Sequence, residues 1–128
     1  MRFLLDTHLL LWAAIQPKRL SSRAAATISD RDNNPVVSAA SLWEIAIKFA
    51  LRQPDFDADP HVLRRGALDQ GYEELPVRAE HAVAVLDLPR IHRDPFDRLL
   101  IAQAIVEGII LLTADATVAR YPGPIRMV

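Results

Sequence analysis

The sequence predicts an α/β fold in which a short parallel sheet is covered on both faces by helices. Three observations lead there. Short runs that are apolar throughout, RFLL, PVV and IILLT, alternate along the chain with longer segments of helical spacing. Those runs lack the apolar–polar alternation of a sheet with one wet face, so both of their faces must be covered. Proline, glycine or small polar residues stand at most junctions between the two kinds of segment.

Each element follows in order. Arg2–Leu5 reads as the first strand, and a helix from about His8 to Ile15 is closed by Pro17. Leu20–Ser29 reads as a second helix, with Ser21 or Ser22 as its cap and an alanine-rich body. After a polar turn over 30–34, Pro35–Val37 opens a second strand. SAASLWEIAIKFAL then places Leu42, Ile45, Ala46, Phe49 and Ala50 at helical spacing, and Pro54 ends it. PDFDADP is a loop, His61–Asp69 a helix stopped by Gly71, Leu75–Val77 a strand, and Ala79–Leu86 a helix before Pro89. Asp97–Glu107 forms a strong helix stopped by Gly108. IILLT is the clearest buried strand, and Ile125–Val128 a last one.

A chain of 128 residues with 51% hydrophobic content forms one domain, 1–128, with a real core. Its formal charge of −1 excludes the strong global field of a general nucleic-acid or membrane-surface binder, so any basic surface is local. There are no cysteines, which removes disulfides and thiolate metal sites. The N-terminus lacks a secretory pattern, and the longest apolar run, Leu9–Ile15, is too short to cross a bilayer. A cytoplasmic protein without a membrane partner is expected.

The acidic residues fall at telling places on this map. Asp6 ends the first strand, Asp115 follows IILLT, Asp97 opens the helix before it, and Glu44 lies on the helix after VVS. Ligands of open parallel sheets bind beyond the carboxyl ends of the strands, where these junctions gather. Each acid also has a local reading. Asp6 and Asp115 suit helix caps. In DPFD, Asp94 suits an N-cap, Pro95 the first helical position, and Asp97 a first-turn acid favoured by the helix dipole. If Ser41 caps its helix, Glu44 completes a capping box; if Ser38 does, as VVS favours, Glu44 lies about two turns in, with Lys48 as an i,i+4 surface partner.

Taken together, strand-end acids meeting at one sheet edge need counter-charge. At an effective dielectric near 20, two carboxylates roughly 4 Å apart repel by about 4 kcal/mol. A divalent cation supplies that charge, and an all-oxygen donor set points to Mg²⁺ or Mn²⁺. The run PRIHRDPFDR puts Arg90, His92, Arg93 and Arg98 beside the acids, as a phosphodiester substrate would need, although single arginines also serve as solvated or paired surface charges. Arg64 and Arg65 extend the basic path with less warrant.

Four blocks, RFLLDTHLLLW, SAASLWEIAIK, HRDPFDRLLIAQA and LLTADATVARY, resemble in order and spacing the signature blocks of PIN-domain ribonucleases of the VapC type, the toxins of toxin–antitoxin pairs. The resemblance runs the length of the chain. It implies a small three-layer α/β/α sandwich. It also implies that Asp6, Glu44 and Asp97 act as the core acids, Asp115 as a less strictly required fourth, and Asp94 as a supporting residue. The implied activity is Mg²⁺-dependent hydrolysis of single-stranded or loop RNA, with His92, Arg93 and Arg98 as phosphate contacts. The implied partners are an RNA substrate, a cognate antitoxin and a second copy in a homodimer. A PIN-fold protein that binds metal or a partner without cleaving RNA is the alternative.

Other motifs are weaker. DFDAD imitates a calcium loop, yet Pro60 takes the place of its glycine and Gly66 that of its glutamate. A phospho-acceptor receiver is disfavoured because Asp6 has no neighbouring acid and neither Lys18 nor Lys48 follows a late strand. Trp12 and Trp43, in apolar helical surroundings, read as core or dimer-contact residues rather than base-stacking platforms. The four histidines lack metal-ligand spacing.

Overall fold

The computed structural model describes residues 1–128. Its strands are β1 (Arg2–Leu5), β2 (Asn34–Ser38), β3 (Glu73–Leu75), β4 (Ile110–Thr113) and β5 (Ile125–Met127). The helices are α1 (Thr7–Ile15), α2 (Ser22–Ser29), α3 (Ala39–Ala50), α4 (Pro60–Asp69), α5 (Ala79–Ala84), α6 (Pro95–Glu107) and α7 (Ala116–Ala119). Every strand pairing is parallel, in the order β3-β2-β1-β4-β5. β1 lies at the centre, with Leu4 opposite Val36 on one side and Leu111 on the other.

Successive residues of the central strand enter different cores. Phe3 and Leu5 join Leu9–Leu11 of α1, Ala24 of α2, Ile45 of α3 and Leu63 of α4. Leu4 joins Leu100, Ile101 and Ala104 of α6 on the other face. Phe3, Leu4 and Leu5 are wholly buried. Each contributes roughly 1.5–3 kcal/mol by leaving water, which holds so short a strand in place. The architecture is the expected α/β/α sandwich.

Boundaries moved where local chemistry outweighed the apolar pattern. The third strand is Glu73–Leu75, ahead of the expected Leu75–Val77, because Pro76 cannot donate to the ladder. Its two acids are held by arginines: Arg2 Nε donates to Glu73 at 2.9 Å and Arg64 Nε to Glu74 at 2.5 Å. Arg64 is therefore spoken for and extends no basic path. α3 stops at Ala50, before Pro54, as Arg52 takes a left-handed φ of +55°. The α5 region tightens into a 3₁₀ turn over Val85–Asp87. Pro54–Phe56, inside the expected loop, is another 3₁₀ turn. Gly108 ends α6 at φ +67°, a conformation that favours glycine.

Trp43 departs from the core expectation: it is 62% exposed on α3. The helix turns Glu44 and Ile45 inward, leaving Trp43 on the outer face. No helix is long and apolar enough to cross a membrane.

Candidate active site

The first acid is built into the end of the central strand. β1 delivers Asp6 to the N-cap of α1, where its Oδ1 accepts from Leu9 N–H at 2.8 Å. Its Oδ2 accepts from the Thr113 hydroxyl at 2.6 Å and Ala114 N–H at 3.4 Å, both at the end of the neighbouring β4. The residue is 5% exposed, and burial pushes its carboxyl above the ordinary aspartate range despite those hydrogen bonds.

Glu44 is the most constrained member. Ser38 caps α3, its hydroxyl accepting from Ala40 N–H at 3.0 Å, so Glu44 lies in the helix body rather than in a capping box. It is 2% exposed. Lys48 Nζ donates to its Oε2 at 2.6 Å, which makes the pair a largely buried contact rather than a surface one. Its Oε1 is buried with no hydrogen-bond partner. An unpaired buried carboxylate oxygen is costly, so this oxygen suits a cation or a donor as its partner.

Asp97 occupies the first turn of α6, behind Asp94, whose Oδ1 caps the helix by accepting from Phe96 N–H at 2.8 Å and Asp97 N–H at 3.1 Å. Burial, followed by the fields of Asp94 and Glu44, pushes the Asp97 carboxyl up to about 7; His92 opposes this and Asp6 adds to it. His92 Nε2 lies 2.9 Å from Asp97 Oδ2 and 3.8 Å from Asp115 Oδ2. Because His92 Nδ1 accepts from Arg93 N–H at 3.1 Å, the ring proton of the neutral form sits on Nε2 and points at the acids. Asp115 uses Oδ1 to cap α7, accepting from Thr117 N–H at 2.7 Å. Ligand atoms of His92, Asp97 and Asp115 all fall within 4.8 Å of one another.

The structure thus brings Asp97, Asp115 and His92 together and places Glu44, Asp94 and Asp6 within reach of Asp97 electrostatically. The cap and the cluster coexist, because Asp6, Asp94 and Asp115 each cap a helix at the site. Arg93 is exposed beside them. Arg98 is not free as a phosphate contact: its guanidinium donates to Pro89 O at 2.9 Å, Val85 O at 3.1 Å and the Tyr121 hydroxyl at 3.1 Å, tying down the segment before α6.

Two residues that support the acids escaped the sequence reading. Thr113 is the first polar residue after the apolar run IILL and holds Asp6. Gln103, wholly buried on α6, accepts the Ser38 hydroxyl at 2.6 Å through Oε1, joining the helix of Asp97 to the cap of the helix of Glu44. A lone glutamine inside LLIAQAIV was its signal.

Comparison with known proteins shows the family. The PIN domain profile matches residues 3–124. The chain belongs to the PIN-domain family. Within it, ribonuclease VapC22 of Mycobacterium tuberculosis is 31% identical over 127 residues, covering 97% of this PIN domain and 96% of the relative. Solved structures share the fold. VapBC2 of Rickettsia felis, bound to a DNA fragment from its promoter, matches with a TM-score of 0.74 at 16% identity, over 99% of this chain and 98% of that one. VapBC-5 of Mycobacterium tuberculosis, from a toxin–antitoxin system, matches at 0.63 and 20% identity, over 99% and 97%.

Proposed function

We propose that this PIN domain is a metal-dependent endoribonuclease, the toxin of a toxin–antitoxin pair, which hydrolyses phosphodiester bonds in single-stranded or loop RNA. The observation that carries the reading is Glu44, buried in a group of acids with one carboxylate oxygen unpartnered. A carboxylate oxygen buried there without a protein donor suits a cation as its partner. The all-oxygen set of Asp6, Glu44, Asp97 and Asp115 fits Mg²⁺, with Mn²⁺ as a substitute. When bound, such an ion offsets the crowded negative charge, polarises the phosphoryl oxygen and activates a water.

The chain's own part is to orient and to donate. Thr113 and Leu9 N–H fix the Asp6 carboxylate, leaving its remaining lone pairs for a ligand. Gln103 fixes α3 against α6, and thus Glu44 against Asp97. His92, whose Nε2–H holds Asp97, would turn that proton to a phosphoryl oxygen in the bound complex, and Arg93 adds positive charge at the rim. Asp94 supports α6 as its cap. No side chain is required as nucleophile.

The similarity to VapC22 and to VapBC-5, a member of a toxin–antitoxin family, supports a cognate antitoxin as partner; a homodimer as the working assembly and the cytoplasm as its place belong to the same reading as what the family resemblance implies. Incubating the purified protein with RNA and Mg²⁺ tests the reaction. Cleavage should disappear with EDTA and fall at least about a hundredfold in Asp6→Asn and Asp97→Asn. Cleavage that survives chelation and both substitutions would come from a contaminant and leave the alternative, a binding domain without nuclease activity.

A further inference from the structure

Trp43 stands on the outer face of α3 with most of its surface in water. On α3 it immediately precedes Glu44, and on α6 Phe96 immediately precedes Asp97. The two rings meet edge to face, with centroids 5.3 Å apart and planes at 71°. Lys48 Nζ, which donates to Glu44, lies 6.0 Å from the Phe96 centroid, so Phe96 stands at the edge of the site and Trp43 extends that edge outward. Phe96 is half-buried, so its edge steadies the tryptophan without hiding it.

A second aromatic group lies on the side of Asp6. His8, exposed and two residues past Asp6, packs against Trp12 at 6.0 Å and edge-on against Phe56 at 5.5 Å. Phe56 is buried and serves as a floor. Cations interleave the rings. Lys48 Nζ lies 4.7 Å from the Phe56 centroid and 6.0 Å from that of Phe96, while the Arg19 guanidinium lies 4.7 Å over Trp12. Arg19 also approaches Asp55 at 3.8 Å, though both side chains remain open to solvent.

We infer that this belt is a track for unpaired nucleotides, with Trp43 stacking the base on one side of the scissile phosphate and His8 with Trp12 receiving the base on the other. The inference rests on the nuclease reading and specifies its substrate: a strand whose bases are splayed apart, not a stacked duplex. An open tryptophan face suits a base, and the solvent-exposed Arg19 guanidinium beside Trp12 suits a phosphate, whereas Lys48 is held by Glu44. A second copy of this chain would gain from the apolar rings but not from the cations between them, nor from the acids they adjoin.

Trp12 and Trp43 are the chain's two tryptophans, so Trp12→Phe leaves Trp43 as sole reporter. The probes are an oligoadenylate RNA, the same strand with abasic riboses, and a blunt RNA duplex, all in Ca²⁺ to hold cleavage off. Oligoadenylate should quench Trp43 emission. Trp43→Ala should weaken its binding by about 5- to 150-fold, and Trp43→Phe should recover most of that. The abasic strand should bind wild type and Trp43→Ala alike, and the duplex should leave the emission unchanged.

Equal affinity of wild type and Trp43→Ala for oligoadenylate, with unquenched emission, overturns the inference. So does a Trp43→Ala protein that loses a dimer in sedimentation yet keeps its RNA affinity, since the ring would then cover a second copy. The two readings fail separately. Quenching without cleavage in Mg²⁺ removes the nuclease and keeps the track, whereas cleavage with Trp43 indifferent to RNA does the reverse.

Discussion

Two histidine–carboxylate contacts of nearly equal length have opposite consequences. His81 Nε2 lies 2.8 Å from Glu107, and His92 Nε2 lies 2.9 Å from Asp97. The Glu107 carboxyl is held below its ordinary range by the His81 hydrogen bond, with help from the Arg78 guanidinium. Asp97 is pushed up to about 7. Partners around each pair explain the difference. His81 is wholly buried, its Nδ1 accepting from Arg78 N–H at 3.0 Å, so every group there has a mate. Around Asp97 stand Asp94, Glu44 and Asp6, three more acids. One region is electrostatically finished by the fold alone; the other crowds like charges together.

Deleting each histidine should break the symmetry most visibly. His81→Ala empties a buried position and orphans its partners, and should lower unfolding free energy by about 2–4 kcal/mol. His92→Ala should leave metal-free stability within about 1 kcal/mol of wild type while slowing RNA cleavage about ten- to a hundredfold. Urea melts and initial rates on the two variants check this. Equal destabilisation by both would erase the contrast.

A pH series sharpens it. Folding raises the Asp97 carboxyl from 3.8 to about 7, so the folded state holds a proton that the unfolded chain has released. That contribution is full at acid pH and is lost as pH rises towards the folded value. Asp6, also raised, acts in the same direction. Glu107, Glu73 and Glu74 are depressed from 4.5, so their stabilisation is complete above that value and lost only on further acidification. Between about pH 5 and about 7.5, metal-free wild type should therefore lose stability relative to Asp97→Asn, by up to a few kcal/mol. Mg²⁺ should abolish the loss. A flat or rising difference in Tm would contradict the assignment.

The smallest effect is expected where the two regions join. Gln103 Nε2 lies 3.3 Å from His81 Nδ1, while its Oε1 takes the Ser38 hydroxyl. Gln103→Leu should weaken Mn²⁺ binding about tenfold, the low end for residues that orient ligands from behind. Titration calorimetry with Mn²⁺ reads this directly, and an unchanged affinity would detach the finished region from the site.

Much of this was legible beforehand because burial on both faces writes its strands as unbroken apolar runs, as in IILLT. β3 was misplaced because an edge strand stabilised by Arg2 and Arg64 across 71 and 10 residues carries no such run. The acids were legible from their positions at strand ends. Treating cap and cluster as rival readings was a mistake of geometry, since a carboxylate has two oxygens. Trp43 was unreadable in isolation: only the rotation of α3 decides whether a ring between Leu42 and Glu44 faces in or out. Arg98 looked free for the same reason, its three acceptors being brought by distant turns.

The hydrogen bond between Thr113 and Asp6 spans 107 residues. A ribosome therefore releases the first acid long before the threonine that fixes it. Until β4 emerges, one edge of β1 is unpaired and the pocket has no far wall. Contacts this distant form late and slowly, so the Asp6 carboxylate takes its final orientation only once β4 has docked against β1.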